Sequence, residues 1–357
     1  MKNIKNRFGE GILYSIQDIL NNPSVKIYCE CAACMSVYTD MLSYLADNPE
    51  VKYFSSKNSK DVTDIIILGC QVTDLAVLND IRTAEKLHNE NPRANVYMCG
   101  CLAQRFDIEL PDFIKRLDVV RNENAPIKDN LKNLVVWQKP FWIKEVLGCG
   151  DYDNGNLFRN SNSIKIGAGC TGRCKYCTIR DTRGDNYERD AYLQVEEFLN
   201  TTGDIVFISD SPTYKQVRDW CNIAICHNKP VSFRNLEPVI ANMCSEHLLE
   251  LAKKGLLKTL HVPIQSENEI VLKAMNRNVD ATIHYIDWSQ KLREYGVKLA
   301  TNIIIDYEVD GEVYHNLNTE FLNKYFDYFA WNPYFDGKWE RRKAETRFKK
   351  YIEQSQL

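Results

Sequence analysis

The chain has 357 residues, of which 44% are hydrophobic and 26% are charged, and its formal net charge is −3. This composition is typical of a folded protein with two domains and excludes a disordered chain. No apolar run approaches the ~18 residues that cross a bilayer, and no signal-peptide cleavage site follows the basic start of the chain. We therefore expect a cytoplasmic protein without membrane contact, and the net charge gives no general attraction to nucleic acid.

Thirteen cysteines are an unusual number for such a protein. Disulfides seldom persist in a reducing compartment, so cysteines that cluster there indicate metal binding or redox chemistry.

Apolar runs in the first part of the chain predict strands separated by helices. The runs are VKIYC (25–29), DIIILGC (64–70) and ANVYMCG (94–100). Strands that alternate with helices predict a parallel sheet. We expect a small N-terminal α/β domain over residues 1–120, followed by a connector over 121–160 that is rich in turn-forming residues.

Each predicted N-terminal strand ends near a cysteine. Cys31 follows the first strand, Cys70 closes the second and Cys101 follows the third. The carboxyl ends of parallel strands meet at one edge of a sheet, where ligands gather. This placement predicts a metal site formed by the three thiols, although buried cysteines that act as small hydrophobic residues are the alternative.

Strand and helix patterns alternate again after the connector. The apolar runs are SIKIG (163–167), DIVFIS (204–209), PVSFR (230–234), LKTLHVP (257–263), VKLATNIII (297–305) and FDYFAW (326–331). Six such strands predict a partial (β/α)6 barrel over 161–335, with its chemistry at the carboxyl ends of the strands. Residues 336–357 form a basic segment that we expect to be a charged, solvated helix.

The stretch GAGCTGRCKYC (167–177) places three cysteines, Cys170, Cys174 and Cys177, on one loop. A structural zinc site needs four ligands, and no fourth cysteine or histidine lies close by. A 4Fe–4S cluster held by three thiolates leaves one iron open for an exogenous ligand, such as a chelating amine and carboxylate. The loop therefore favours an iron–sulfur cluster, with zinc as the alternative.

The run GAGCTGRCKYCTIRDTRG resembles the cluster loop of radical S-adenosylmethionine (SAM) enzymes, and more narrowly that of the methylthiotransferases, including the element Arg183–Gly184. Other segments are similar to motifs of the same family. They are CAACMSVYTD (31–40), ILGCQVTD (67–74), CGCLAQRF (99–106) and LHVPIQSENEIVLKAMNR (260–277). In the first of these, Cys34 stands where the family usually has asparagine.

The resemblance implies an enzyme with two 4Fe–4S clusters and SAM. Cys170, Cys174 and Cys177 would hold the radical SAM cluster, and Cys31, Cys70 and Cys101 an auxiliary cluster. A 5′-deoxyadenosyl radical would activate a C–H bond for insertion of sulfur or methylthio, and a reductant such as flavodoxin or ferredoxin would supply electrons.

Five residues are candidates for SAM contacts because they lie in or beside these motifs: Tyr176, Ser209, Asp210, Gln265 and Arg277. An ordinary loop aromatic, a helix cap or a surface ion pair would explain the same residue types without a ligand.

Three features depart from the family pattern. Cys29, Cys34 and Cys99 lie beside the proposed auxiliary ligands and are either buried bystanders or a further ligand. The run TNIIIDYEVDG (301–311) lacks the expected glycine- and proline-bearing turn, so we expect a remodelled loop.

The family's C-terminal β-barrel recognition domain is also not found in this sequence, which favours a peptide or protein substrate over transfer RNA. A transfer-RNA methylthiotransferase with a separate RNA-binding partner, and a non-catalytic iron–sulfur protein, are the alternatives.

Overall fold

The computed structural model describes residues 1–22, 24–31, 52–54, 62–118 and 162–355. These residues form two compact units. The first holds the described residues up to 118, Asp181–Arg183 and the residues from Phe335 onward, and the second holds 162–180 and 184–334. No helix in the described ranges is long and apolar enough to cross a membrane. The predicted connector over 121–160 lies outside them, and the predicted domain boundaries stay predictions.

The first unit contains a hairpin and a five-stranded parallel sheet. Its strands are β1 (Lys2–Asn6), β2 (Gly9–Leu13), β3 (Lys26–Cys31), β4 (Lys52–Phe54), β5 (Asp64–Gly69), β6 (Asn95–Gly100) and β7 (Ile114–Arg116). The sheet has the order β4-β3-β5-β6-β7, and β1 pairs with β2 in an antiparallel hairpin. The helices before residue 118 are Ile16–Leu20 and Asp74–Glu90, with a short 3₁₀ turn at Leu102–Gln104.

Strand β5 explains why the sheet forms, because its sequence DIIILG is buried along its whole length. Alternate residues of a strand face opposite sides of the sheet. Ile65 and Ile67 pack with one apolar cluster that includes Val77 of the helix Asp74–Glu90, and Ile66 packs with the other. That helix begins after Thr73, whose hydroxyl accepts a hydrogen bond from the Ala76 N–H at 3.0 Å. The predicted N-terminal parallel sheet is confirmed.

The second unit contains the partial barrel. Its strands are β8 (Asn162–Lys165), β9 (Gly167–Ala168), β10 (Tyr187–Glu188), β11 (Ile205–Ile208), β12 (Val231–Phe233), β13 (Leu257–His261), β14 (Lys298–Ile305), β15 (Tyr307–Val309), β16 (Glu312–Tyr314) and β17 (Tyr328–Pro333). Six of them form an open parallel sheet in the order β17-β14-β13-β12-β11-β8. The expected (β/α)6 architecture is confirmed.

Helices connect the strands of this unit. They are Ile179–Arg183, Ala191–Asn200, Tyr214–Cys226, Pro238–Met243, Ser245–Lys253, Glu269–Ala274, Val279–Arg293 and Thr319–Tyr325. Of the first helix, Asp181–Arg183 group with the first unit. The predicted strand 163–167 is shorter than expected, because β8 ends at Lys165 and Gly167 begins a separate pairing of β9 with β10.

A hairpin follows β14 where the sequence predicts a remodelled loop. Strands β15 and β16 pair antiparallel from Tyr307↔Tyr314 to Val309↔Glu312. The two turn residues, Asp310 and Gly311, have φ of 51° and 86°. Positive φ at both positions belongs to the tight hairpin turn whose twist matches that of paired strands.

The charged C-terminal segment forms the helix Arg341–Ser355 within the first unit. Arg341 pairs with Glu85 at 2.6 Å, and Arg347 pairs with Asp74 at 3.0 Å. Both partners belong to the helix Asp74–Glu90. Both arginines remain partly exposed, at 45% and 40%, and most of the helix is exposed, while Ala344 is buried.

A buried ion pair in the second unit provides a test of the fold. Arg189 donates to both carboxylate oxygens of Glu197, at 2.7 and 2.9 Å, and only 2% and 5% of these side chains are exposed. Removal of one partner leaves an unpaired buried charge. We expect Glu197→Ala to lower the free energy of unfolding of this unit by about 3 kcal/mol, measured by urea unfolding followed by tryptophan fluorescence.

Lys273→Ala is the matched control because the Lys273–Glu269 pair, at 3.3 Å, is exposed on both sides. It should change stability by less than about 0.5 kcal/mol. Equal effects of the two substitutions would contradict the importance of the buried pair.

Candidate functional site

The three cysteines of the second unit lie on one loop that starts at the carboxyl end of the first barrel strand. Cys170, Cys174 and Cys177 are free thiols, and each is partly buried. The loop is fastened at two points: the Cys170 N–H donates to the Gly184 carbonyl at 3.2 Å, and the Lys175 N–H donates to the Met275 carbonyl at 3.1 Å. The fold therefore keeps the three thiols together.

Asp210 fixes the entry to this loop. It follows β11, and its carboxylate accepts a hydrogen bond from the Gly169 N–H at 2.9 Å. Gly169 has φ of +79°, and an added Cβ there would overlap the Asp185 carbonyl oxygen. Only glycine fits this turn without strain. Asp210, which the sequence predicts as a SAM contact, thus has a structural contact with the cluster loop.

The surroundings of the thiols disfavour their anionic forms when no cation is present. The pKa of Cys177 is raised to about 12, mainly by burial and also by the neighbouring Cys174 and Cys170. Burial also raises the pKa of Cys170, while hydrogen bonds from the Gly172 N–H and the Ser211 side chain act in the opposite direction. Three thiolates in this position need positive charge beside them.

Arg277 lies against the loop. Its guanidinium donates to the Cys174 Sγ at 3.8 Å and to the Pro263 carbonyl at 2.7 Å. Burial lowers its pKa, but interactions with Tyr176, Cys174 and Glu237 act in the opposite direction and outweigh burial, so the pKa of Arg277 is raised overall. Arg277 therefore remains a cation beside the thiols.

Tyr176 packs into an apolar cluster beside the thiols. The buried members of this cluster are Val271, Met275 and Tyr307. Burial raises the pKa of Tyr176 well above its usual value, so its hydroxyl stays neutral. The tyrosine forms an apolar wall next to Cys174 and Cys177.

The other two predicted SAM contacts lie at the carboxyl edge of the sheet. Ser209 follows β11, and its buried hydroxyl has no hydrogen-bond partner among the described residues. Gln265 has φ of 69°, and its backbone bridges to Ile303 of β14 while its side chain is half-buried. A buried hydroxyl without a partner costs free energy unless a ligand supplies one.

Some residues at this edge were missed by the sequence analysis. Glu237 follows β12 and lies beside Gly172, and Ser211 forms a hydrogen bond with Cys170.

The buried His261 at the end of β13 was also missed. Its Nδ1 accepts a hydrogen bond from the Asn235 N–H at 3.1 Å, and its Nε2 lies 2.9 Å from the Asn302 Oδ1. Burial lowers the pKa of His261 to about 3, so the ring is neutral. The sequence could have indicated these residues, because they lie at the ends of predicted barrel strands, where functional residues gather.

The cysteines of the first unit lie at the carboxyl edge of its sheet. The half-buried Cys70 follows β5, and its N–H donates to the buried Asp80 carboxylate at 2.6 Å. Cys101 follows β6 and is 8% exposed. The backbone of Cys31 ends β3 opposite Leu68, and its side chain lies outside the described residues.

The neighbouring cysteines differ in what the structure describes. Cys99 is fully buried in the apolar core, and its thiol lies 3.4 Å from the Asp118 carbonyl. Cys34 and the side chain of Cys29 lie outside the described residues. Across the described part of the chain, no three histidine, cysteine or acidic side chains are arranged to hold a single metal ion.

Comparison with known proteins matches residues 164–318 to the radical SAM superfamily. This segment spans the cysteine loop and the strands from β8 to β16. It is a radical SAM domain. Members of the superfamily use SAM and a 4Fe–4S cluster, which accounts for the open loop of three thiols.

Most of the chain is similar to methylthiotransferases. It is 24% identical over 324 residues to the tRNA-2-methylthio-N(6)-dimethylallyladenosine synthase of Campylobacter jejuni strain 81-176, which covers 80% of this chain and 71% of that protein. It is also 24% identical over 294 residues to the ribosomal protein uS12 methylthiotransferase RimO of Clostridium botulinum, covering 72% and 63%. These relatives are transferases that act on different macromolecules.

The radical SAM domain has a donor set that fits the two groups its superfamily requires. Three thiols lie on one loop, and Gly172 leaves space beside Cys170, since an added Cβ would lie 3.1 Å from the Cys170 Sγ. The unpartnered Ser209 hydroxyl is a buried polar atom that a ligand would satisfy. These features fit a cluster with an adjacent polar ligand.

The conformation of Gly169 generates a test of the loop. We expect Gly169→Ala to destabilise the protein by about 3 kcal/mol, because alanine resists positive φ and its Cβ would displace the Asp185 backbone. Iron bound after anaerobic reconstitution should fall as well. Thermal unfolding and an iron assay measure the two effects.

Gly255→Ala is the control, because Gly255 has φ of +71° but no atom within 4 Å of an added Cβ. It should cost only about 1 kcal/mol and leave bound iron unchanged. Loss of iron in both variants would contradict a specific role of the close contact between residue 169 and the Asp185 backbone in holding the loop.

Proposed function

We propose that this protein is a radical SAM enzyme that inserts sulfur or methylthio at an unactivated carbon. The observation that carries the proposal is the loop of Cys170, Cys174 and Cys177 at the carboxyl edge of a radical SAM barrel. When bound, the cluster and SAM supply a 5′-deoxyadenosyl radical, which removes hydrogen from a C–H bond that side-chain acids and bases leave intact.

The residues of the barrel then have distinct roles. Cys170, Cys174 and Cys177 hold the cluster, and Asp210 holds the loop through the Gly169 N–H.

The charged and polar groups beside the loop have other roles. Arg277 places positive charge beside Cys174 and donates a hydrogen bond to the Pro263 carbonyl. Ser209 and Gln265, at the strand ends, provide polar groups for SAM.

The apolar wall of Tyr176, Met275 and Tyr307 excludes water on one side. Exclusion of water matters here because a reactive radical is otherwise lost to side reactions.

Cys31, Cys70 and Cys101 are proposed to hold an auxiliary 4Fe–4S cluster that carries the sulfur. Support comes from the sheet register, in which β3, β5 and β6 are adjacent parallel strands that all end near these cysteines. The homology to methylthiotransferases supports the same assignment.

The buried Cys99 is occupied in the core and is the weakest candidate for a further ligand. A reductant such as flavodoxin or ferredoxin would supply the electrons in the cytoplasm. The nine cysteines whose side chains the structure describes are free thiols, which fits a reducing compartment.

A polypeptide is the substrate class that we favour. The hairpin β15–β16, which follows a barrel strand of the catalytic unit, exposes Glu308, Asp310 and Glu312. The segment 306–318 contains no lysine or arginine. Negative charge at this position repels a phosphate backbone. The basic C-terminal helix also offers fewer free cations than its sequence suggests, because Arg341 and Arg347 are in ion pairs.

Transfer RNA is the second candidate, because the Campylobacter jejuni relative is a tRNA-modifying synthase. Gel-shift assays with bulk tRNA over a range of salt concentrations distinguish the two classes. We expect no tRNA complex at low salt for the native chain. The variant Glu308→Lys/Glu312→Lys should bind tRNA more strongly, because it reverses the charge of the hairpin.

A native complex with tRNA that weakens steeply with salt would exclude our substrate assignment. An unchanged affinity in the charge-reversed variant would contradict the role given to the hairpin.

SAM cleavage tests the enzyme assignment directly. The reconstituted protein, incubated with SAM and dithionite, should release 5′-deoxyadenosine and contain about eight irons per chain. Cys174→Ala should abolish the product and retain about four irons in the auxiliary cluster. Chromatography of the nucleosides and an iron assay provide the measurements.

Cys226→Ala is the control, since Cys226 is an exposed free thiol at the end of the helix Tyr214–Cys226. It should match the native protein in both measurements. Native protein that holds iron yet releases no 5′-deoxyadenosine would favour a non-catalytic iron–sulfur protein.

A further inference from the structure

A cavity of about 330 Å³ lies beside the β15–β16 hairpin. Two segments of the second unit line it. Glu267 comes from the segment after β13, and Tyr314, His315, Leu317 and Asn318 come from the end of the hairpin and the segment that follows it. Neither lining segment contains a cysteine. The cavity is therefore built from side chains other than those that would hold the cluster.

A short helix separates this cavity from the cluster loop. Asn268 lines the cavity and precedes the helix Glu269–Ala274. The cluster loop contacts the opposite end of that helix, where the Asn276 side chain donates to the Arg173 carbonyl at 3.0 Å. The six residues of the helix span about 9 Å. The cavity and the cluster loop are therefore distinct places in this unit.

Two polar side chains of the lining are paired with carboxylates outside it. The Tyr314 hydroxyl donates to the Glu312 Oε2 at 3.1 Å. The Nδ1 of His315 lies 2.6 Å from the Asp306 Oδ1. The Asp306 carboxylate balances any charge on the His315 ring, so this pair brings no net positive charge to the cavity.

Glu267 is the lining residue whose charge is not balanced. Burial raises the pKa of its half-buried carboxyl group, and an interaction with the Asn318 side chain acts in the opposite direction. An amide supplies no positive charge, and no lysine or arginine among the described residues stabilises this carboxylate. A cation placed in the cavity would offset the cost of keeping Glu267 ionised there.

The surroundings of the cavity also favour a cation. The hairpin exposes Glu308, Asp310 and Glu312, and the segment 306–318 contains no lysine or arginine. Carboxylates grouped in this way attract positively charged ligands and repel anions.

Exposed apolar side chains accompany these carboxylates. Leu317 lines the cavity, Val313 precedes the lining residue Tyr314, and both are exposed. Lysine and arginine lay their apolar stems along such a surface while the charged end reaches a carboxylate. Resting on the proposed function, which favours a polypeptide substrate, we propose that this cavity binds a lysine or arginine side chain of that polypeptide, with its charged end at Glu267.

Saturation-transfer NMR on the anaerobically reconstituted protein tests this assignment. The probe is a pentapeptide with a central arginine between alanines. Its twin carries citrulline, which keeps the shape of arginine but has no charge. We expect the native protein to bind the arginine peptide about 10-fold more tightly, and Glu267→Gln to remove this difference, because a charge-assisted hydrogen bond becomes a neutral one. The affinity for the citrulline peptide should be the same in both proteins.

Glu308→Gln is the matched control, because it removes a carboxylate of the hairpin that is exposed and does not line the cavity. It should lower the affinity for the arginine peptide by less than about 2-fold, since salt screens a distant exposed charge. Ethylguanidinium is the charged end of arginine without the peptide, and it should bind more weakly than the arginine peptide. Iron content should be the same in every variant, as expected if the fold is intact.

Three results would overturn the inference. Equal affinities of the native protein for the two peptides would show that the charge is not recognised. Equal losses in Glu267→Gln and Glu308→Gln would assign the attraction to the hairpin surface as a whole. Ethylguanidinium that binds as tightly as the peptide would assign the cavity to a free small cation. Each of these results is possible in a protein that cleaves SAM, whereas the proposed function fails if the native protein releases no 5′-deoxyadenosine.

Discussion

The barrel keeps three thiols together and partly out of water, and this arrangement is the constraint on which the catalytic unit depends. Burial raises the pKa of Cys177 to about 12, and the pKa of Cys170 is raised by the same cause. Thiols with such pKa values stay protonated near neutral pH unless positive charge binds to them. A cluster of iron ions provides that charge. A cluster bound in the loop would therefore favour the thiolate forms of these cysteines.

The neighbouring side chains are arranged around this requirement. Hydrogen bonds from Gly172 and Ser211 favour the anionic form of Cys170, and Arg277 adds a cation beside Cys174. Asp210 holds the loop by accepting a hydrogen bond from the Gly169 N–H. Glu237 and Asp210 act in the opposite direction, because Glu237 raises the pKa of Cys170 and Asp210 raises the pKa of Cys177.

Much of the fold could be predicted because its parallel strands are buried on both faces. The run DIIILG is apolar at nearly every position, and such runs indicate central strands. The sequence analysis missed strands that are exposed or very short. The hairpin of Lys2–Asn6 and Gly9–Leu13 is largely exposed, so its sequence carries no apolar run. The three-residue edge strand Ile114–Arg116 is too short to give a periodic signal.

Some features of the candidate site could likewise be predicted from the sequence, and others could not. The sequence by itself determined the three thiols of the cluster loop, because their spacing is local and three ligands on one loop leave a coordination position open. It also predicted that Cys70 and Cys101 lie at the ends of two strands of one parallel sheet. Only the tertiary structure decided that Asp210 binds the loop backbone and that Glu237, 65 residues beyond Gly172 in the chain, lies against it. Contacts of this kind depend on the order and register of strands, which no local pattern of residues encodes.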